Sequence, residues 1–250
     1  MNLSAIIEIN NATKSYKGND LPAVDALNLI INKNEIFGLL GPNGAGKTTT
    51  ISMLCGLVQP TSGQVKIKNV DLSSDLSTVK EMIGIVPQDI ALYPTLTGRE
   101  NLEFYGAMYG VPKVILNNRI NAWLKKFDME KAANKRVSSY SGGMKRRINL
   151  VAGILHQPEI LFLDEPTVGV DVQSRADIMH HLKEMNAEGM TIVYTSHHLE
   201  EAQQFCTDVA IIDEGKIIAR GKPEELIAQH DDSRNLEELF LKLTQTKIPS

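Results

Sequence analysis

Cysteine is scarce in this chain of 250 residues: there are two, Cys55 and Cys206. They lie far apart and in no metal-ligand spacing, which excludes a disulfide-built scaffold and a cysteine-rich zinc module. They allow one disulfide, and read as two buried thiols in a reducing cytosol. An excess of basic residues is also missing: 26 Lys and Arg stand against 30 Asp and Glu, for a net charge of −4. A nucleic-acid binder would show a basic footprint, so no nucleic-acid partner is expected. No stretch of about 20 apolar residues offers a membrane span. The start, "MNLSAIIEINN", lacks the basic and apolar segments of a signal peptide, so none is expected.

The chain does have enough apolar residues, 42%, to bury a core, and its length suits one large domain or a core with a smaller subdomain. Residues 6–9 and 26–31 read as strands, and 35–40 as a short strand running into glycine-rich "GPNGAGKTTT". A helix is expected over 47–57, a strand over 82–88, and a mostly helical insertion over 91–157. Within the insertion, Thr97 stands three residues before Glu100, a capping-box pattern. Strands return with "EILFLDEP" and "MTIVYTS", separated by a helix around 174–186, and "DVAIIDEGKIIARG" reads as a hairpin turning at Glu214-Gly215. The runs 36–40, 160–163 and 191–194 are short, apolar and flanked by helices, as strands buried on both faces of a parallel sheet are. The last stretch, 223–250, reads as helical, with Leu236, Leu239, Phe240 and Leu243 on one side.

Gly41-Pro42-Asn43-Gly44-Ala45-Gly46-Lys47-Thr48 fits G-x-x-x-x-G-K-[ST] without a departure. Glycine permits backbone angles that let successive N–H groups turn inward on anionic oxygens. The helix that follows offers unpaired N–H groups and a positive dipole end. Lys47 adds a charge for the terminal phosphates, and the Thr48 hydroxyl can ligate Mg²⁺. The loop implies a nucleotide. In "ILFLDEP" a strand ends in Asp164 and Glu165, which a parallel sheet would bring to the same rim. There Asp164 would hold Mg²⁺ through water and Glu165 would polarise the attacking water.

In "SSYSGGMKRR", Ser141 can cap the helix that follows, and Gly142 and Gly143 bare its first N–H groups. Lys145, Arg146 and Arg147 stand where a helix dipole disfavours cations. Two readings remain open for them: an anion arriving at that terminus, or a solvated basic face.

The order of these motifs resembles that of the ATP-binding cassette (ABC) ATPases across essentially the whole chain: the glycine loop, Gln88 after a strand, SGG on a helix, LDEP, "GVD" at 169–171 and "TSHH" after a strand. The resemblance implies an α/β fold. It would have a P-loop NTPase, RecA-like core with a mainly parallel sheet, an N-terminal antiparallel β subdomain and a helical signature subdomain. Within one ABC ATPase domain over 1–250, the core with its β subdomain would take 1–90 and 158–222, the helical subdomain 91–157 and a helical tail 223–250. It implies ATP and Mg²⁺ as ligands: Tyr16 stacks on adenine, 41–49 including Thr49 cradle phosphate, and Thr48, Gln88 and Asp164 surround the metal. Lys47, Gln88, Glu165 and His197 are the catalytic set; Ser141, Gly142, Gly143 and Met144 form the signature and Asp171 the D-loop aspartate. His198 is merely adjacent, exposed or structural. The signature departs from the common LSGGQ, reading Tyr140 to Met144 as YSGGM, and this form is similar to that of drug and polysaccharide exporters. The implied partners are an integral membrane permease and a second copy, or a related cassette, in a head-to-tail dimer. The implied location is the cytoplasmic face of the membrane, as a peripheral subunit. A soluble ABC ATPase of an assembly complex is the alternative.

Overall fold

Two burial patterns divide the strands. The first strands alternate buried and exposed residues, as in a sheet with one face in water, whereas "IFGLL" and "TIVYTS" are buried at every position. The computed structural model describes residues 4–230 and 233–245. In chain order the elements are β1 (Ala5–Lys14), β2 (Val24–Asn32), β3 (Ile36–Leu40), α1 (Lys47–Leu54), β4 (Ser62–Ile67), β5 (Val70–Asp71), α2 (Leu76–Met82) and β6 (Ile83–Val86). Then come α3 (Gly98–Met108), α4 (Lys113–Lys126), a 3₁₀ turn at Val137–Ser139 and α5 (Gly142–Ile154). The chain returns through β7 (Ile160–Asp164), α6 (Val172–Ala187), β8 (Thr191–Ser196), α7 (Leu199–Phe205), β9 (Asp208–Asp213), β10 (Lys216–Gly221), α8 (Pro223–Ala228) and α9 (Leu236–Gln245).

The alternating strands form an antiparallel sheet in the order β2-β1-β4-β5. The second sheet runs β10-β9-β3-β8-β7-β6, parallel except for β10, which pairs antiparallel with β9. Its side chains alternate between two cores. Phe37, Leu39, Phe162 and Val193 pack with α1 and the antiparallel sheet; Leu40, Leu161, Leu163, Ile192 and Tyr194 pack with the helices α3 to α7. This is the α/β architecture expected, with its N-terminal antiparallel sheet and its helical segment.

Several boundaries differ from the sequence reading for local reasons. The helix expected over 47–57 stops at Leu54 because Gly56, at φ 66, closes it in a Schellman turn: Leu57 N–H donates to Ser52 O at 2.9 Å and Gly56 N–H to Met53 O at 3.0 Å. The strand over 82–88 is shorter, Ile83–Val86, ending before Pro87, which has no N–H to donate. β1 and β2 are longer than 6–9 and 26–31 because bulges let the pairing continue. The capping box is present: Glu100 N–H donates to Thr97 Oγ1 at 3.1 Å and Thr97 N–H to Glu100 Oε2 at 2.7 Å. Glu214 and Gly215 make the hairpin turn, both at positive φ. Both cysteines are buried and free, so the disulfide alternative falls. Among the described residues no helix is long and apolar enough to cross a membrane. The expected helical tail also covers 231, 232 and 246–250, and the signal-peptide reading covers 1–3, all outside the described residues.

Candidate functional site

The register of the parallel sheet assembles the site. Leu40 pairs with Ser196, Asp164 with Thr195 and Val86 with Leu163, so β3, β8, β7 and β6 end on one rim. Just past those ends come, respectively, Gly41, His197, Glu165 and Gln88. A parallel sheet gathers ligand-binding groups at its carboxyl edge in this way.

A cavity of about 580 Å³ opens there. It is lined by Gly41, Pro42, Asn43, Gly44, Gly46, Lys47, Thr48, Thr49, Gln88, Asp164, Glu165 and His197. Two of the glycines are enforced by close packing: a Cβ on Gly41 would strike Ile212 O, and one on Gly46, at φ 105, would strike Ala23 O. Gly44, at φ 82, faces open space. Ala45 is buried beneath the loop, its carbonyl accepting from Gly215 N–H at 3.0 Å, and is not part of the lining. The Lys47 ammonium is buried and donates to Gly41 O at 2.7 Å and Pro42 O at 3.0 Å. Burial holds its pKa below that of a free lysine, with Glu165 and Asp164 opposing the shift.

Asp164 accepts from Thr195 Oγ1 at 2.5 Å. Glu165 has φ 47, a left-handed conformation that is strained for a residue with a side chain. Its backbone N–H donates to Thr195, and its carboxylate, 11% exposed, lies 3.0 Å from His197 Nδ1. Gln88 Nε2 donates to the other carboxylate oxygen at 3.4 Å. His197 is half exposed, and its ring centroid is 4.2 Å from that of His198. His198 sits at the start of α7, where its backbone N–H donates to Ser196 Oγ at 2.9 Å. Thr48, Gln88 and Asp164 share the cavity, and among the described residues no group of three His, Cys, Asp or Glu side chains makes a complete metal site. A hydroxyl, an amide and one carboxylate suit a hard cation that keeps water and phosphate oxygens in its shell, so the residues fit Mg²⁺ better than a metal needing a full protein cage.

Three groups stand apart from the cavity. Tyr16 is 41% exposed with Lys14 Nζ 5.3 Å from its ring centre, outside the lining. Ser141 caps α5, its Oγ accepting from Met144 N–H at 3.3 Å. Gly142 and Gly143 pack on the start of α6: a Cβ on Gly143 would meet Ser174 Oγ at 2.5 Å, and one on Gly142 would meet Gly169 O at 2.9 Å. Asp171 caps α6 by accepting from Ser174 N–H at 2.9 Å, and its hydrogen bonds with Ser174 hold its carboxyl below the usual range.

Two cations of the basic run after the signature, Arg146 and Arg147, are engaged within their own chain, so they do not make a solvated basic face. Arg146 is 3% exposed and donates to Pro87 O at 3.0 Å and Gln88 O at 2.8 Å, so α5 holds the backbone of Gln88 directly. Arg147 pairs with Asp177 of α6 at 2.8 Å. Sequence reasoning also missed Phe240 of α9 and Leu199 as cavity walls. The amphipathic pattern put Phe240 on one side of its helix with Leu236, Leu239 and Leu243 but did not say against what.

This fold and this loop define a P-loop nucleotide-binding protein of the α/β class. Residues 24–168 match the family model described as ABC transporter. The chain is 44% identical over 224 residues to the linearmycin resistance ATP-binding protein LnrL of Bacillus subtilis, covering 90% of this chain and 71% of that one. It is 38% identical to the Nod factor export ATP-binding protein I of Cupriavidus pinatubonensis, covering 90% and 69%. Among solved structures, the ATP-binding subunit of an ABC transporter superposes with a TM-score of 0.86 at 26% identity, covering 95% and 99%. The cassette MJ0796, a dimer in a post-hydrolysis state bound to ADP and Pi, gives 0.79 at 28%, covering 86% and 98%. The chain belongs to the ABC transporter family and is an ATP-binding, ATP-hydrolysing cassette.

Proposed function

We propose that this cassette binds MgATP in the cavity under residues 41–49, closes on it as a pair of copies, and drives a separate membrane permease in export. The observation that carries the reading is the grouping of Lys47, Asp164, Glu165, Gln88 and His197 around one cavity, with the signature outside it.

Catalysis in such a site is positioning plus charge stabilisation of a phosphoryl-transfer transition state. The loop N–H groups and Lys47 hold the phosphates, Lys47 exchanging its carbonyl acceptors for phosphate oxygens. Glu165 accepts a hydrogen bond from the attacking water, which Gln88 helps to place. His197, now on the Glu165 carboxylate, reaches the γ-phosphate. Thr48, Gln88 and Asp164 would hold Mg²⁺, which would supply positive charge against the phosphates. Tyr16, on the loop between β1 and β2 whose last residue, Ala23, lines the cavity, stacks on adenine.

Ser141, Gly142 and Gly143 lie outside the lining of their own chain's cavity, so the N–H groups at this helix start serve nucleotide held by another copy or a related cassette, with Asp171 between the two sites. Beside Gln88, the helical insertion exposes Tyr93, Phe104, Met108 and Tyr109, with Tyr93 and Phe104 packed edge to face at 5.0 Å. A permease docks on this face, which makes the cassette a peripheral subunit on the cytoplasmic side. The export direction rests on the names of the resistance and export relatives. Purification of the tagged chain from its native cells in mild detergent tests the role. A multi-span membrane protein should come with it; a soluble assembly complex and no membrane protein would overturn the transporter reading.

A further inference from the structure

Glu201, on α7, has a side chain only 12% exposed and meets three other segments. Its Oε1 accepts from Thr167 Oγ1 at 3.0 Å and from the Tyr194 hydroxyl. Both donors are buried, Thr167 at 1% exposure and Tyr194 at 0%. Burial pushes the Tyr194 phenol up, so it keeps its proton and donates. Glu201 Oε2 makes no hydrogen bond and lies 3.7 Å from Arg175 Nε of α6.

These contacts fall on the two segments that carry the reacting groups. Thr167 belongs to the turn begun by Glu165, in which Val168 N–H donates to Glu165 O at 3.3 Å and Val170 N–H to Thr167 O at 3.3 Å. Tyr194 stands three residues before His197 on β8, and α7 begins just after His198. Beyond the β7–β8 pairing and the bonds of Glu165 N–H and Asp164 to Thr195, the two segments are bridged by the 3.0 Å contact of His197 with Glu165 on the cavity side and by the Glu201 carboxylate through Thr167 and Tyr194. Glu165 and His197 line the cavity, whereas Thr167, Tyr194 and Glu201 are not among its lining residues. A backbone at φ 47 holds only where its surroundings over-determine it.

We propose that Glu201 is a positioning residue for ATP hydrolysis, its Oε1 fixing the Glu165 turn relative to the His197 loop through Thr167 and Tyr194. The inference rests on the catalytic site as assigned above. The ion pair with Arg175 matters less, because Arg175 is 35% exposed and water can take over its charge.

Steady-state MgATP hydrolysis and thermal melting of Glu201→Ala, Glu201→Gln, Thr167→Val and Tyr194→Phe test it. Glu201→Ala should lower kcat about tenfold with KM within about twofold, because positioning acts on the transition state. Glu201→Gln should keep at least about half of kcat, since its amide oxygen accepts both hydrogen bonds. Thr167→Val and Tyr194→Phe should each lower kcat about threefold, one hydrogen bond being lost. Equal loss in Glu201→Ala and Glu201→Gln, or wild-type kcat in a folded Glu201→Ala, would overturn the inference. If Glu201→Ala does not fold, wild-type kcat in both single hydroxyl variants overturns it. Lys47→Ala and Glu165→Gln run alongside: turnover at the wild-type rate in these would fault the site assignment itself, and lost turnover there with unchanged Glu201 variants would fault only the role of Glu201.

Discussion

Replacing Arg146 by lysine separates the hold on Gln88 from the chemistry of the site. The guanidinium is 3% exposed and spans two carbonyls, Pro87 O at 3.0 Å and Gln88 O at 2.8 Å, with two parallel N–H groups. A lysine ammonium is a point charge on a different stem and cannot reproduce that fork. Hydrogen bonds from charged donors contribute about 1.5–3 kcal/mol each. Gln88 is exposed and Pro87 half-buried, so water replaces part of what is lost. That puts Arg146→Lys at about 1–2 kcal/mol, the lower end for one such bond. For a protein of this size the melting point then falls by roughly 2–8 °C. Gln88 Nε2 already lies at the long limit, 3.4 Å from Glu165, so slack in its backbone shows in kcat more than in KM. The expected result is a kcat reduced about tenfold with KM near its wild-type value, measured by steady-state phosphate release beside differential scanning calorimetry. A variant that melts within about 1 °C of wild type and turns over at the same rate refutes the clamp.

Gly46→Ala places a Cβ against Ala23 O at a φ of 105. It should lose about 1–3 kcal/mol and most nucleotide affinity, read by melting and by fluorescent-nucleotide titration; an unchanged variant would contradict the loop geometry. Burial lowers the pKa of Lys47 in the free protein, and phosphate brought beside it raises that pKa again. The fraction of Lys47 that is neutral grows as pH rises toward that depressed value, so binding of a non-hydrolysable ATP analogue near pH 9 should take up protons. Calorimetry in buffers of different ionisation enthalpy measures the uptake, and equal heats in all buffers would rule it out.

The phosphate loop was legible because its parts are local: glycines, Lys47 and Thr48 lie within one short loop, and Asp164 and Glu165 end an apolar strand that only a buried parallel sheet explains. The rim could then be assembled from strand ends, and the register does bring Gln88, Glu165 and His197 together. What escaped depends on contacts between distant segments. Arg146 and Gln88 are 58 positions apart, and Glu201 and Thr167 are 34, with no periodicity to join them. A basic run at a helix start looks the same in sequence whether it meets solvent, an anion or buried carbonyls. The short elements β5 and α2 went unread because two and seven residues hold too few apolar repeats to show a period. Gly56 could have ended α1 at its observed place, since a glycine just past an apolar run is a stop signal.

The central claim is that two copies complete each nucleotide site, because Ser141 to Gly143 lie outside the cavity of their own chain. The mass of the Glu165→Gln variant in solution at saturating MgATP tests this most directly. Without its water-orienting carboxylate the variant should bind ATP, hydrolyse it very slowly and accumulate as a dimer, reverting to monomer when nucleotide is removed. A monomer at saturating MgATP, in a variant shown to have bound the nucleotide, would contradict the composite site.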